Sequence, residues 1–278
     1  MSNVAEPARV NFDHADCYRE GLHDNSKPGR QWCRERGPAS RSGRLYATGT
    51  STPSVSSSTP PPDPASRFAF DLAEWFSTNG EQVAHDLRRY FGGGRDSFTG
   101  RWFEEFAAIG DPNRFEASDI LAVEALNVAV PPESAAKLIV SESQRFSQLL
   151  RAIPREIDLW EAEPNVLDER SNAHALHTEL QTLPGVGWVV ASKLLATKRP
   201  RLLPILDNEV RDFLRPSKGR FWLSLHAELS DPTRRSAIAA ACKAAPPHVS
   251  LLRRIDVALW MAATQHATTQ PPVRTAAE

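Results

Sequence analysis

The apolar residues between positions 67 and 266 recur every three or four positions, which is the period of an amphipathic helix. Over residues 68–77 this spacing places Phe68, Leu72 and Phe76 on one face, and the same pattern returns over residues 81–91. No run of alternating β-branched residues interrupts the helical pattern. We therefore expect an all-α fold of about ten short helices joined by loops of ordinary length.

The first 66 residues carry a different pattern, in which Pro, Ser, Thr and Gly form clusters and the apolar residues show no period. The clusters end in ATGTSTPSVSSSTPPPDPAS, residues 47–66. Such a segment buries too little surface to offset its conformational entropy. We expect residues 1–66 to be disordered, residues 67–266 to form one compact multi-helix domain, and residues 267–278 to be a disordered tail.

The composition argues against membrane proteins, secreted proteins and proteins built around disulfides or cysteine-bound metals. No apolar run approaches the length of about 18 residues that a membrane span needs, and the first residues lack the apolar core of a signal peptide. We therefore expect a cytoplasmic protein without membrane contact. The three cysteines among 278 residues are too few and too far apart for a disulfide framework or for a cysteine-only zinc or iron–sulfur site. We predict no metal and no cofactor.

The net charge of −1 hides an uneven distribution along the chain. Residues 67–180 hold 11 Lys plus Arg against 20 Asp plus Glu, net −9, whereas residues 181–278 hold 14 against 7, net +7. The positive surplus gathers within residues 183–220, which is the one stretch with the electrostatic footprint of a phosphate-binding surface. A solvated basic face without a partner explains the charge equally well.

The basic stretch contains two helices joined by a tight turn. Helical spacing of apolar residues holds before and after residues 184–187, where the sequence Pro-Gly-Val-Gly cannot continue a helix. Gly185 and Gly187 permit positive φ and remove side chains from the turn. The first N–H groups of the second helix then point outward without partners, and they form a site that suits a phosphate.

This turn and the residues after it are the candidate DNA contacts. The turn itself supplies Gly185, Val186, Gly187, Trp188 and Val189. The basic side chains that follow are Lys193, Lys198, Arg199 and Arg201. Two alternatives stay open, because Trp188 after a turn is also typical of a half-buried core residue, and the four cations also suit a solvated surface.

The segment LPGVGWVVASKLL, residues 183–195, resembles the helix-hairpin-helix motif. Together with its continuation it resembles the helix-hairpin-helix DNA glycosylase superfamily of base-excision repair. In that superfamily the hairpin is followed by a helix, a Pro-containing loop and a catalytic aspartate that opens the next helix. Asp207, twenty residues after Gly187, occupies the matching position. The resemblance implies that Asp207 stabilises the positive charge that develops on the sugar, or positions the nucleophile.

Two departures from that pattern limit the chemistry. In the bifunctional members a catalytic lysine lies two residues after the second glycine, and here that position is Val189. Because valine has no amine to form a Schiff base, we expect no lyase activity. The cysteine quartet of some members is also absent, so no iron–sulfur cluster is expected.

A second resemblance covers most of residues 67–266. The blocks GRWFEEFA, VPPESAAKLI, IPREIDLW, GVGWVVASKLLATKRPRLLPILD and HVSLLRRIDVALWM together resemble an uncharacterised bacterial domain family of unknown function. This resemblance implies a single helical domain and adds no activity.

Two classes of function follow. The first is a DNA-binding protein that cleaves an N-glycosidic bond of a damaged base, with Asp207 as its catalytic carboxylate. The alternative is a non-enzymatic hairpin domain that binds nucleic acid or docks against another protein. In that case Asp207 is an ordinary helix N-cap, which is a common role for aspartate. The sequence identifies neither the base nor any protein partner.

Overall fold

The computed structural model describes residues 67–94 and 97–269, with side chains through residue 265. Within those residues it contains twelve α-helices and no strand, which confirms the all-α prediction. The predicted disordered segment 1–66 lies outside the described residues, as does most of the predicted tail. The last helix continues to Thr269, three residues past the predicted end of the domain.

The helices are short and follow one another closely. Their bounds are α1 Leu72–Thr78, α2 Gly80–Phe91, α3 Phe103–Ile109, α4 Ala117–Ala125, α5 Pro132–Ala136, α6 Ser143–Arg151, α7 Asn172–Leu180, α8 Trp188–Lys198, α9 Asn208–Leu214, α10 Phe221–Ser230, α11 Pro232–Ala241 and α12 Leu251–Thr269. Single 3-10 turns lie at Thr99–Trp102, Leu159–Glu161, Pro164–Val166 and Cys242–Ala244.

Side-chain caps fix where several helices begin. Asp71, Ser171 and Asp231 each accept a hydrogen bond from a backbone N–H in the first turn of the helix that follows. Pro132 and Pro232 open α5 and α11, where proline removes only an N–H that has no partner inside the helix. These are the residue types that start helices from local sequence alone.

A π-helical turn at Lys137–Ser141 separates α5 from α6, although the apolar spacing of residues 132–153 is helical on both sides of it. There the Glu142 N–H donates to the Lys137 carbonyl, five residues back, at 2.8 Å. The wider turn leaves Val140 at the surface and 72% exposed, while Leu138 stays buried. The apolar spacing did not reveal this turn because the sequence on both sides of it is ordinary helix.

One large apolar core joins most helices, and α8 runs through it. Every residue of α8 from Ala191 to Lys198 is buried, and α8 contacts α3, α4 and α7. The next helix, α9, packs along α12. The hairpin helix and the helix that follows Asp207 are therefore held on a fixed scaffold. Along the described residues, no helix combines the length and apolar content that crossing a bilayer requires.

Candidate functional site

The predicted hairpin is formed by α7, the turn at residues 181–187, and α8. Gly185 has φ +70°, and a Cβ there would lie 2.7 Å from Pro131 Cγ. Gly187 has φ −82° and no neighbouring atom where a Cβ would stand, so only the first glycine needs its conformational freedom. Gly185 and Gly187 are exposed, whereas Val186 is buried as the anchor of the turn.

The start of α8 has the features of an anion-binding end. Gly187 is its N-cap, and no side chain caps the first N–H groups of this helix of 11 residues. Trp188 and Val189 in the first turn are half-buried, and the Arg211 guanidinium lies 5.3 Å from the centre of the Trp188 ring. The first-turn N–H groups therefore face outward at the positive end of the helix dipole.

Replacing Gly185 with Ala is expected to lower the free energy of unfolding by about 1–3 kcal/mol, because it combines a left-handed backbone with a clash against Pro131. Gly187→Ala is the matched control in the same turn, and we expect it to change stability by less than about 0.5 kcal/mol. Urea unfolding followed by tryptophan fluorescence measures both variants. Equal losses for the two would contradict the turn geometry described above.

Asp207 is the N-cap of α9 and lines a cavity. Its Oδ1 accepts the Val210 N–H at 2.9 Å, and the residue is 8% exposed. Burial, together with the charge of Asp256, raises the pKa of Asp207 to about 6, while the Val210 N–H and Lys193 act in the opposite direction. Oδ1 is thus used as a cap, and the carboxylate still contributes to the wall of the cavity.

The cavity has a volume of about 350 Å³, within the range of small-ligand sites. One wall is aromatic, since the rings of Tyr90 and Phe98 stack 5.0 Å apart and Trp260 meets Phe98 edge-on at 5.8 Å. Val189 from the first turn of α8 lies on the same cavity, so the hairpin helix and Asp207 share it. The polar lining residues are Thr99, Asn127, Lys193, Asp207, Asn208, Glu209, Arg253 and Asp256.

Lys193, predicted as a DNA contact, lines this cavity instead of the surface. It is 6% exposed, and its Nζ donates to the Leu126 carbonyl at 3.2 Å. Burial lowers the pKa of the Lys193 amine, while the charges of Asp207 and Asp256 oppose that shift. The cavity therefore brings one amine together with the carboxylates of Asp207, Glu209 and Asp256, without a direct ion pair between Lys193 and any of these three in the described residues.

A buried charge network in α12 forms the floor of the cavity. Arg253 donates to the Tyr90 hydroxyl at 2.7 Å and pairs with both Asp256 and Glu104. Asp256 keeps one oxygen, Oδ1, without a hydrogen-bond partner in the described residues. Burial raises the pKa of the Asp256 carboxyl, and the ion pair with Arg253 opposes that rise. This oxygen can therefore accept a hydrogen bond from a molecule in the cavity.

Sequence reasoning missed Arg253 and Asp256. Both lie in the segment LLRRIDVALWM, which belongs to one of the blocks that resemble the domain family of unknown function. The available signal was an oppositely charged pair three residues apart on a helix that is otherwise apolar on that face.

Lys198 and Arg199, also predicted as DNA contacts, are buried structural cations at the end of α8. Lys198 is 3% exposed, and its Nζ lies 2.5 Å from Asp119 Oδ2 and 2.9 Å from the Asp111 carbonyl. Neither cation is available at the surface for a phosphate, which corrects the expectation of a backbone contact at these two residues.

Arg199 is 1% exposed, and its hydrogen bonds connect three segments of the chain. Its guanidinium donates to backbone carbonyls in the loop after α3, at the end of α6 and at the end of α8, and to one side chain. The acceptors are the carbonyls of Pro112, Leu150, Ile153 and Lys198 and Oδ1 of Asn113. Burial lowers the pKa of Arg199 to about 10.

Arg201 lies apart from the hairpin and is already paired. It is exposed, and its guanidinium makes two hydrogen bonds with the Asp158 carboxylate at 2.7 and 2.5 Å. Together with Trp160 it lines a separate groove of about 600 Å³. Of the predicted cations, only Lys193 thus shares a site with Asp207.

Comparison with known proteins gives one match. Residues 83–263 match a family of unknown function, DUF6308, which covers the hairpin, Asp207 and the α12 charge network. No curated protein and no solved structure matches the chain. Among the described residues, no group of three His, Cys, Asp or Glu is arranged to hold a metal ion.

Proposed function

The chain belongs to DUF6308, a family of unknown function, and since membership supplies no activity, we propose from the geometry that it is a DNA-binding N-glycosylase. In this proposal the hairpin holds the DNA backbone, the cavity takes a nucleotide rotated out of the duplex, and Asp207 promotes hydrolysis of the N-glycosidic bond. The resemblance of residues 183–207 to the helix-hairpin-helix glycosylases points in the same direction.

The observation that carries this proposal is that the first turn of α8 and the Asp207 carboxylate line one cavity. A base-excision enzyme needs a phosphate-binding site beside a pocket that is large enough for a base. It also needs a carboxylate close to the sugar of the nucleotide in that pocket. Breaking the N-glycosidic bond leaves positive charge on the sugar, and a carboxylate shielded from water stabilises that charge as it develops. The Tyr90, Phe98 and Trp260 rings give the cavity an aromatic wall against which a base can pack.

The proposal is tested with purified full-length protein and duplexes that carry a single uracil, alkylated or oxidised base. We expect release of one class of base, seen as strand cleavage only after alkali treatment of the abasic product. Binding without release of any base in the panel would favour the non-enzymatic alternative. A protein trapped on DNA by borohydride, and lost in Lys193→Met, would contradict the hydrolytic mechanism, because Lys193 supplies the amine in this cavity.

The excision rate is expected to fall about tenfold per pH unit below pH 6, because Asp207 has a pKa of about 6 and must be ionised to act. Above that pH its charge is present and the rate is constant. Lys193→Met removes a cation that lowers this pKa, so the acid limb should move to higher pH. Asp256→Asn removes an anion that raises it, so the limb should move to lower pH. If neither variant shifts the pH at which the rate begins to fall, the acid limb reports the titration of a group other than Asp207.

A further inference from the structure

The loop between α9 and α10 carries three free cations beside the hairpin. Arg215, Lys218 and Arg220 lie within six residues, all are exposed, and none forms an ion pair or a side-chain hydrogen bond within the described residues. They contrast with Lys198, Arg199 and Arg201, whose charges are buried or paired. Three exposed positive charges without an ion pair among the described residues are therefore gathered in this one loop of the basic half of the domain.

Contacts at both ends hold this loop next to the hairpin. Before the loop, Arg211 lies over the ring of Trp188, and Arg215 follows one helical turn later, with its N–H donating to the Arg211 carbonyl at 2.8 Å. After the loop, Trp222 meets the ring of His177 at 5.7 Å. A ring nitrogen of His177 in turn lies 3.2 Å from the Trp188 carbonyl. One end of the loop is thus held to Trp188 directly, through Arg211, and the other indirectly, through Trp222 and His177.

The backbone at Arg215 adds a second, independent observation. It has φ +47°, and the only other described non-glycine residue with positive φ is Asn127, which lines the cavity. A left-handed conformation at the end of a helix favours glycine, and in α9 the residue that adopts it is an exposed arginine. The C-terminal end of α9 thus carries a cation at a position whose backbone conformation favours glycine.

Acidic neighbours do not cancel this charge. Asp212 is occupied by Arg211, with which it forms an ion pair at 2.8 Å. Glu209 lies at the opposite end of α9, on the rim of the cavity. Glu169 is the nearest carboxylate to Gly219, and it pairs with none of the three cations. Three free positive charges therefore remain along the loop.

We propose that Arg215, Lys218 and Arg220, called here the basic strip, extend the hairpin into one continuous contact with the phosphate backbone of duplex DNA. The strip would hold the strand on one side of the cavity while the N–H groups at the start of α8 hold an adjacent phosphate. It takes the place of the contacts expected from Lys198, Arg199 and Arg201. This inference rests on the proposed function, because DNA is its ligand.

Binding of a fluorescently labelled duplex, followed by anisotropy over a range of salt concentrations, tests the strip. The variant R215Q/K218Q/R220Q is expected to bind at least about tenfold more weakly, and the slope of log Kd against log salt should fall by about 3 in magnitude, one unit per lost phosphate contact. The control variant R88Q/R151Q/K243Q removes three exposed cations elsewhere and changes net charge equally. Equal effects in the two variants would overturn the proposal.

A single substitution separates loss of binding from loss of fold. Arg215→Gly removes a cation and also relieves the left-handed backbone, so its melting temperature should be unchanged or higher while DNA affinity falls. Unchanged DNA affinity in this variant and in the triple variant would refute the proposed role of the strip.

Failure of the strip proposal and failure of the glycosylase proposal are distinguishable. Duplex binding that depends on the strip, without base release, would contradict only the enzyme, and base release with unaltered binding in the triple variant would contradict only the strip.

Discussion

Replacing Asp207 with Asn is expected to lower the rate of base excision by at least about 100-fold and, at neutral pH, to make the folded protein more stable. The first effect follows because Asn keeps the shape of the side chain but has no charge to stabilise the sugar cation. The N-cap survives, since the Asn oxygen accepts the Val210 N–H as Asp207 does. DNA binding should persist, because the hairpin is unchanged.

The gain in stability follows from the direction of the pKa shift. The pKa of Asp207 is raised from 3.8 to about 6 in the folded protein, so this carboxyl favours folding fully below pH 3.8 and loses that contribution as pH rises through 6. At pH 7 the wild type therefore carries a penalty of up to about 3 kcal/mol that the neutral Asn lacks. Thermal unfolding at pH 5 and pH 8 should show the larger difference at pH 8.

The control for this variant is Asp212→Asn on the same helix. Asp212 is exposed and faces Arg211, so its loss should leave excision within about twofold of the wild type and stability within about 0.5 kcal/mol. Excision that persists in Asp207→Asn would remove Asp207 from the catalytic role. Lost activity together with lost stability would instead identify it as a structural cap only.

Replacing Arg199 with Ala is expected to lower the free energy of unfolding by about 4 kcal/mol or more, because five acceptors lose their donor inside the protein. Arg199→Lys should also be strongly destabilising, since one ammonium group cannot span acceptors that a planar guanidinium reaches on several sides. Urea unfolding measures both. The excision rate of whatever protein remains folded should change little.

The matched control is Arg201→Ala, two residues along the chain. Its ion pair with Asp158 is exposed, so we expect a loss of no more than about 1 kcal/mol. If Arg199 were instead a phosphate contact, as its position in the basic stretch suggested, Arg199→Ala would weaken DNA binding and leave unfolding unchanged. The two variants together therefore distinguish a structural cation from a binding cation at adjacent basic positions.

Local signals in the sequence were sufficient for the fold class and for the hairpin. Apolar spacing predicted helices on both sides of residues 184–187, and the Pro-Gly pair predicted the break between them, because both depend on neighbours a few positions apart. Asp207 was singled out by its distance from the hairpin, and it lies at a helix start beside a cavity. Whether it is catalytic remains a prediction.

Local sequence does not predict which of the basic side chains are buried and which are exposed. Lys198 and Arg199 look like surface charges because the sequence gives no sign that Asp119 and the carbonyls near residues 112 and 150 come together around them. For Arg253 and Asp256 the sequence holds only the signal of their own pair, since the other partners of Arg253, Tyr90 and Glu104, are more than 140 positions away. Long-range packing, and not local pattern, decides which charges bind ligands and which hold the fold.

The floor of the cavity also constrains how the sequence can vary. A Cβ at position 100 would lie 2.0 Å from the Tyr90 hydroxyl, and that hydroxyl receives a hydrogen bond from Arg253, which also donates to the Gly100 carbonyl at 3.2 Å. A side chain at position 100 would therefore displace the Tyr90 hydroxyl, and loss of Tyr90 would leave Arg253 with one acceptor fewer. The absence of a side chain at position 100 is therefore what leaves room for the hydrogen bond between Arg253 and Tyr90 at the floor of the cavity.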